Sequence, residues 1–263
     1  MTERQTTFGP TPLGWRAVRW IFLRDVRRMS RRHLTYRTLQ LTQGDTVRWL
    51  SDDIGRFLKT LERETAEMRA NAELSQIPNV GGRLMVELAI YTVAADAALR
   101  AQGVAAASAH SVMADIGWDL YRRMLVLSSL PSRMISRDPG RRLRWTLGGL
   151  LIFPFRPVGA PGYDAQVFRK GEDIHTHFTH CPPQTFARAA AVRRKDPELL
   201  EAFRQSWCRY DTPGADIIAA DGKRGHYQRP QTLSAGDPVC DMCWKARGSK
   251  QLPKSDRKED KQC

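Results

Sequence analysis

The sequence predicts an α+β fold, with a helical N-terminal half followed by a small mixed or antiparallel sheet and its own helices. Two observations lead to this prediction. Residues 45–155 contain long segments with apolar residues at spacings of three and four, the period of amphipathic helices. After Pro157 the segments become shorter, and Gly and Pro separate them as expected between strands. We therefore expect one domain over residues 45–250, helical over 45–155 and α+β over 160–247.

The N-terminal segment is basic and amphipathic. Residues 14–37 hold eight arginines and a single acid, Asp25. One face of a helix here would collect the apolar side chains, which are Trp15, Val18, Phe22, Val26 and Met29. Residues 1–44 are thus predicted to form a basic amphipathic arm. The arm either packs its apolar stripe on the body or lies on an anionic membrane surface or a partner.

Four helices are expected between this arm and Pro157. They cover residues 45–74, with Asp45 as the cap, then 83–103, 108–130 and 141–155. The helix over 83–103 is apolar almost all round, which predicts that it is buried, and Gly103 is its natural stop. The next helix is expected to end before Pro131, since proline interrupts helical hydrogen bonding.

The C-terminal half is expected to alternate strands and helices. Two strands over 165–171 and 173–180 are joined by a turn at Gly171. Helices follow from Pro183 and from Pro197 to Asp211, and two last strands over 226–233 and 238–246 flank a turn at 236–238. The charged tail over 251–263 is predicted to be disordered.

The net charge of +14, from 42 Lys and Arg against 28 Asp and Glu, points to anionic partners. The candidate partners are small anionic molecules and an anionic membrane that would contact residues 14–37. We do not expect nucleic-acid binding, because the excess of arginine over lysine is explained as well by a GC-rich genome. The chain begins without the features of a signal peptide, and no apolar stretch is long enough to span a membrane. We expect a cytoplasmic protein, with peripheral membrane association as an open alternative.

Three cysteine motifs carry the candidate chemistry. Cys181 precedes Pro182 at a helix start, Cys208 lies three residues before Asp211, and Cys240 adjoins Asp241. A helix N-terminus favours a thiolate through its macrodipole and its backbone N–H groups. Five cysteines in a reducing compartment are expected to be reduced, catalytic or metal-bound.

Histidines surround the first motif in "HTHFTHCPPQTFARAA", residues 175–190. On an extended strand His175 and His177 share one face, and His180 points to the other. His180 is the leading candidate for a base because it adjoins Cys181. A site with three histidine ligands would require a break in the strand.

The three motifs together resemble the L-2-amino-thiazoline-4-carboxylic acid hydrolase family. Its members show a Cys-Pro that begins a helix, then Cys-x-x-Asp, and then R-T-x-T-L-x-x-G-D-x-x-C-D-F near the end. The corresponding residues here are Cys181-Pro182, Cys208 to Asp211, and "RPQTLSAGDPVCDMCW" from Arg229 to Trp244. The resemblance covers about residues 82–247. Met242, Pro230 and Cys243 depart from the family pattern.

The resemblance implies hydrolytic opening of a small cyclic amidine, a reaction at carbon–nitrogen or carbon–sulfur bonds, without a cofactor. Such a reaction needs a nucleophile, proton transfer and a cation for the substrate carboxylate. The catalytic candidates are Cys181, Asp211, Asp241 and His180. The substrate-binding candidates are Cys208, Cys240, Arg229 and His177.

Two other classes of function stay open. Cys240-x-x-Cys243 is half of a common zinc or iron–sulfur arrangement, which Cys181 and Cys208 could complete. Chelation by Cys240 and Cys243 would require a turn, because on a strand they face opposite sides. The other class is a ligand-binding sensor without catalysis, tethered to an anionic surface by residues 14–37.

Overall fold

The structure is a computed structural model that describes residues 13–246. The predicted tail over 251–263 lies outside the described residues. The elements, in chain order, are α1 (Leu13–Tyr36), β1 (Thr38–Gln40), β2 (Thr46–Arg48), α2 (Ser51–Ala70), α3 (Val80–Arg100), α4 (Ala106–Ile135), α5 (Pro139–Ile152), β3 (Asp164–Lys170), β4 (Asp173–His180), α6 (Pro182–Arg194), α7 (Glu198–Gln205), α8 (Trp207–Ala219), β5 (Tyr227–Gln228) and β6 (Cys240–Trp244). The predicted α+β class is confirmed.

The chain divides into two compact units where one domain over 45–250 was expected. The first unit contains the described residues as far as Leu120 together with Pro182–Trp207. The second contains Tyr121–Cys181 and the described residues from Cys208 onward. Each unit is therefore built from two separate stretches of chain, a division that residue patterns along the chain do not reveal.

Helix α3 forms the centre of the first unit and confirms the predicted buried helix. Its side chains are buried on every face, including Val86, Ile90 and Val93. The Asn79 side chain accepts a hydrogen bond from the Gly82 backbone N–H and caps the start of the helix. Gly103, which follows the helix, has φ +82°, a conformation that favours glycine.

Helix α1 belongs to the first unit and is not a separate arm over its whole length. Val26, Met29 and Leu34 are buried. The later part of the apolar stripe therefore packs on the body of the protein, which was the first of the two expectations for this segment. The side chains of Trp15, Val18 and Phe22 lie outside the described residues. Trp20 and Ile21 are exposed. Contact between the arginine-rich surface and a membrane or partner stays a prediction.

The expected helix over 45–74 begins later than predicted. Residues 46–48 pair with Thr38–Gln40 in an antiparallel hairpin, and α2 begins only at Ser51. The Asp45 carbonyl accepts a hydrogen bond from the Leu41 backbone N–H at 2.7 Å, so Asp45 belongs to the hairpin turn. The helix is capped instead by Asp53, whose carboxylate accepts from the Leu50 N–H at 2.8 Å.

Helix α4 continues through Pro131, where the sequence had predicted its end. Proline removes one hydrogen bond and bends a helix without having to stop it. The hydroxyls of Ser128 and Ser129 donate to the carbonyls of Leu125 and Val126 in the preceding turn. Serine bonds of this type accompany bent helices.

The expected single helix from Pro197 to Asp211 is broken at Ser206. Ser206 has φ −106° and ψ −91°, outside the helical region, and it separates α7 from α8. The buried Ser206 hydroxyl donates to the Ala202 carbonyl at 2.7 Å and satisfies a backbone group at the end of α7. Cys208 and Asp211 therefore lie in the first turns of a new helix.

A four-stranded antiparallel sheet of order β3-β4-β6-β5 organises the second unit. The predicted turn at Gly171 between β3 and β4 is confirmed, whereas β5 and β6 are shorter than predicted. In the pairing of β4 with β6, His177 lies opposite Asp241 and Phe178 opposite Cys240. Side chains alternate between the two faces of a sheet.

We call the two faces of this sheet the aromatic face and the histidine face. The aromatic face carries Thr176, Phe178, Tyr227, Cys240, Met242 and Trp244. The histidine face carries His175, His177, Asp241 and Cys243. On the aromatic face the Trp244 indole N–H donates to the Thr176 hydroxyl at 3.0 Å. The ring centroids of Tyr227 and Trp244 lie 4.7 Å apart in a tilted edge contact.

Among the described residues, no helix combines the length and the apolar character that crossing a membrane requires.

A buried carboxylate in the first unit makes its stability sensitive to pH. Asp96 on α3 has no exposed surface, and burial raises its pKa to about 6, although Arg100 and His110 act to lower it. Its carboxylate accepts a hydrogen bond from Arg100 Nε at 2.8 Å, and Arg100 also donates to Asp196 at 2.6 Å.

We predict that the wild-type protein loses stability relative to Asp96→Asn as pH rises. The folded protein holds the Asp96 proton up to a pKa of about 6, whereas 3.8 is the ordinary value. Between these two pH values the folded state therefore binds more protons than the unfolded state. The stability that this proton binding contributes is lost as pH rises through about 6. The difference in the free energy of unfolding should fall by about 3 kcal/mol over this window. Urea unfolding of both proteins from pH 4 to 8 measures it, and a difference independent of pH would contradict the account.

Candidate functional site

A buried carboxylate, Asp211, is the centre of the candidate site in the second unit. It lies on α8 three residues after Cys208, a spacing that places both side chains on one side of the helix. Tyr121 on α4 donates a hydrogen bond to one carboxylate oxygen at 3.4 Å. Tyr227 on β5 donates to the other at 3.3 Å. Burial raises the pKa of Asp211, although Arg229 and the two hydroxyls act to lower it.

Arg229 provides the positive charge of the site. Its guanidinium donates to the Asp211 carboxylate at 3.3 Å and to the Cys208 backbone carbonyl. Burial acts to lower the pKa of Arg229, but Tyr227 and Asp211 outweigh it and the pKa is raised. The hydrogen bonds that Asp211 accepts from Tyr121, Tyr227 and Arg229 are all longer than the normal range. A loosely held ion pair of this kind can be opened by a ligand with charges of its own.

Cys208 lies beside this ion pair as a neutral thiol. Its sulfur is 3.0 Å from the Ser234 hydroxyl oxygen, and the carboxylate of Asp211 is close enough to influence it. Burial raises the pKa of Cys208 to about 11, despite the opposing effect of Arg229. Cys208 is therefore protonated at neutral pH and is unsuited to be a resting thiolate nucleophile.

Cys240, on the aromatic face, is the second thiol of the site. Its sulfur accepts a hydrogen bond from the Leu233 backbone N–H at 3.3 Å and lies 3.4 Å from the Thr232 hydroxyl. Burial raises the pKa of Cys240, with Arg229 acting to lower it and Asp211 to raise it. The loop that returns the chain from β5 to β6 thus holds Cys240 against the same charges as Cys208.

Cys181 lies at the end of β4, and α6 begins directly after it at Pro182, as predicted. Its thiol is half-buried. Burial raises the pKa of Tyr163, and the charges of Cys181, Tyr121 and Asp211 raise it further. Cys181 and Asp211 are therefore both within electrostatic reach of Tyr163.

His180 is directed away from the histidine face. The pairing of β3 with β4 is irregular between Asp164 and Ala165, opposite the end of β4. The His180 ring lies with Nδ1 2.6 Å from the Gly162 carbonyl oxygen. A backbone carbonyl accepts only from a protonated ring nitrogen, so this contact assigns the proton to Nδ1.

The structure does not bring Asp241 and His177 to the Asp211 site. Both lie on the histidine face, whereas Cys240, which interacts with Asp211, lies on the aromatic face. Adjacent residues of a strand point to opposite sides of the sheet, so Cys240 and Asp241 cannot serve one site through their side chains. The four-residue catalytic set is reduced to Cys181 and Asp211, with His180 next to Cys181 in the chain.

The four cysteines proposed as metal ligands are not brought together either. Cys240 and Cys243 lie on opposite faces of β6, which stays extended between them. The turn that chelation would require is absent from this strand. Cys243 is disulfide-bonded, so the expectation of a reduced or metal-bound thiol is wrong for this residue. Of the remaining three, which are free thiols, Cys208 and Cys240 lie within electrostatic reach of each other.

Several polar residues of the site were not predicted from sequence. Tyr227 lies two residues before Arg229 on β5, and Ser234 lies within the last motif, so proximity to that motif could have indicated both. Tyr121 lies within an ordinary amphipathic helix, about 90 residues from Asp211, and carries no local signal. Only the fold identifies it.

Comparison of the chain with descriptions of known protein families, with curated proteins and with solved structures finds no match. The residues of the chain itself are therefore the basis of the functional argument.

We predict that Cys208 resists alkylation in the folded protein near neutral pH. A pKa of about 11, against 9.0 for an ordinary thiol, lowers its thiolate fraction about 100-fold. Iodoacetamide labelling followed by peptide mass mapping should show Cys208 modified rapidly in urea and slowly without it at pH 8. Labelling at equal rates in the two conditions would contradict the buried, protonated thiol.

Proposed function

We propose that the protein hydrolyses a small cyclic amidine that carries a carboxylate, such as a 2-amino-thiazoline-4-carboxylate. The observation that supports this most is the convergence of three separate segments on Asp211. Cys208 and Asp211 come from α8, Arg229 from the end of β5, and Cys240 from β6. These are the positions at which the sequence resembles the hydrolase family.

The charges of the site fit a zwitterionic substrate. A protonated amidine is a planar cation that pairs with a carboxylate such as Asp211. The substrate carboxylate would pair with Arg229, because guanidinium binds carboxylates through two parallel hydrogen bonds. The substrate would thereby replace the 3.3 Å contact between Arg229 and Asp211 with two ion pairs of its own. A ligand with only one of the two charges would leave one buried group without its partner, at a high cost.

The nucleophile we propose is Cys181. It is half-buried and lies directly before a helix, a position that favours a thiolate, whereas burial keeps Cys208 protonated. The Cys181 sulfur would attack the carbon between nitrogen and sulfur, and the ring C–S bond would break with protonation of the departing sulfur. Water would then attack the same carbon and release the enzyme thiol. The net reaction adds one water and yields a single ring-opened product, a substituted urea that carries a free thiol.

The residues around Asp211 would position the amidine. Tyr121 and Tyr227 hold the two carboxylate oxygens in place from different elements. Hydrogen bonds that are long before substrate binds often shorten in the substrate complex. Cys208 and Cys240 would line the pocket as neutral thiols.

We predict that the purified full-length protein opens 2-amino-thiazoline-4-carboxylate and that Cys181→Ser abolishes turnover. Asp211→Asn should lower kcat/KM at least about 100-fold, because the amidinium loses its buried counter-charge. The product thiol is measured with a chromogenic disulfide reagent after the protein is removed, and the urea is identified by mass spectrometry.

The matched control is Asp115→Asn, which changes an exposed carboxylate on α4 that pairs with Arg37. This variant should retain wild-type turnover. Binding of the amidine without any product would replace the hydrolase with the sensor alternative. Turnover that survives in Cys181→Ser but not in Asp211→Asn would remove the covalent route and leave direct attack by water.

A further inference from the structure

The histidine face of the sheet holds a second polar cluster, formed by His175, His177 and Asp241. Ring nitrogens of the two histidines and a carboxylate oxygen of Asp241 all lie within 4.8 Å of one another. The arrangement follows from the sheet, since His177 is the cross-strand partner of Asp241 and His175 lies two residues earlier on the same face. The reaction proposed above uses none of these three residues.

Two atoms of the cluster are buried without hydrogen bonds. His177 Nε2 and Asp241 Oδ1 are 2.8 Å apart. Neither atom has a hydrogen-bond partner within residues 13–246, and both are shielded from solvent. Their mutual geometry is therefore not that of a hydrogen bond, although the distance would permit one. Buried polar atoms without partners are rare, and an ion is one of the explanations for them.

The ring of Phe168 on β3 fixes the orientation of both histidines. It stacks on His175 with centroids 5.0 Å apart and an interplanar angle of 8°. It meets the edge of His177 at 4.7 Å and 85°. The two imidazoles are consequently held at a steep angle, 80° to each other. Rings held in this way lose little conformational freedom when they bind a ligand.

We propose that His175, His177 and Asp241 bind a divalent first-row transition-metal ion. Two imidazoles and one carboxylate form a ligand set that suits zinc, iron(II), cobalt or nickel. Magnesium and calcium prefer sites made only of oxygen ligands. Three protein ligands leave coordination positions open for water or for an exogenous molecule.

The distances agree with a shared ion after a small adjustment. Two ligands at right angles, each ~2.1 Å from an ion, are ~3.0 Å apart. The 2.8 Å between His177 and Asp241 is close to this value. The upper limit of 4.8 Å for the separations within the cluster exceeds this value by about 2 Å, so binding requires the more distant ring to move toward the other two ligand atoms.

Two neutral imidazoles and one carboxylate leave a bound divalent ion with a net positive charge at the site. The ion would also satisfy both buried atoms at once. The alternative occupant of the same place is a proton, because a protonated His177 would form an ion pair with Asp241 over the 2.8 Å that separates the two atoms.

The experiment uses the full-length protein after removal of metal with EDTA. Co²⁺ is titrated into it, and visible absorption of the bound ion reports coordination, while elemental analysis after dialysis against Zn²⁺ gives the stoichiometry. We expect one ion per chain, and a midpoint of thermal unfolding that rises when Zn²⁺ is added. His177→Gln and Asp241→Asn should each weaken binding at least tenfold.

The matched control is His180→Gln, a histidine of the same strand outside the cluster. It should bind Co²⁺ as the wild type does. Far-UV circular dichroism and thermal unfolding without metal confirm that every variant is folded. Absence of stoichiometric binding in the wild type, or binding unchanged in both His177→Gln and Asp241→Asn, would overturn the proposal. Loss of hydrolysis would not, because the two sites use different residues.

Discussion

The pairing of β4 with β6 is the constraint on which both candidate sites depend. This register sets His177 opposite Asp241 and Phe178 opposite Cys240. Because neighbouring side chains of a strand point to opposite faces, the single motif Cys240-Asp241 contributes one residue to each face. A shift of one residue would exchange the two faces and dissolve both clusters. The hydrogen bonds and aromatic contacts on the aromatic face oppose such a shift.

The sequence predicts the functional motifs only where the geometry is local, that is, within one helix or at its first residue. The spacing of Cys208 and Asp211 predicts a common side of a helix, and the helix start after Cys181 is visible in its proline. The grouping of Asp241 with Asp211 was inferred from adjacency to Cys240. That inference failed because adjacency on a strand separates side chains, whereas adjacency on a helix turn does not.

The fold class and most helices follow from apolar periodicity, but several ends do not. Residues 46–48 were expected to begin α2, but they form the second strand of a hairpin. Pairing with Thr38–Gln40 satisfies their backbone hydrogen-bonding groups. The backbone angles of Ser206 end helix α7, although neither glycine nor proline stands at this position to predict the break. Tyr121 joins the site from α4 through a contact with Asp211 that depends on tertiary packing alone. Contacts of this kind lie beyond the reach of a pattern read along the chain.

The register itself is tested most directly by cross-linking. Cross-strand neighbours have Cβ atoms about 4.5–5.5 Å apart, near the span of a disulfide. In a protein carrying both His177→Cys and Asp241→Cys, mild oxidation followed by peptide mass mapping should show a disulfide between the two introduced sulfurs. A disulfide from position 177 to Cys240 would mean a register shifted by one residue. Such a register would place residue 241 on the aromatic face, from which Cys240 interacts with Asp211, and would contradict the separation of the two sites.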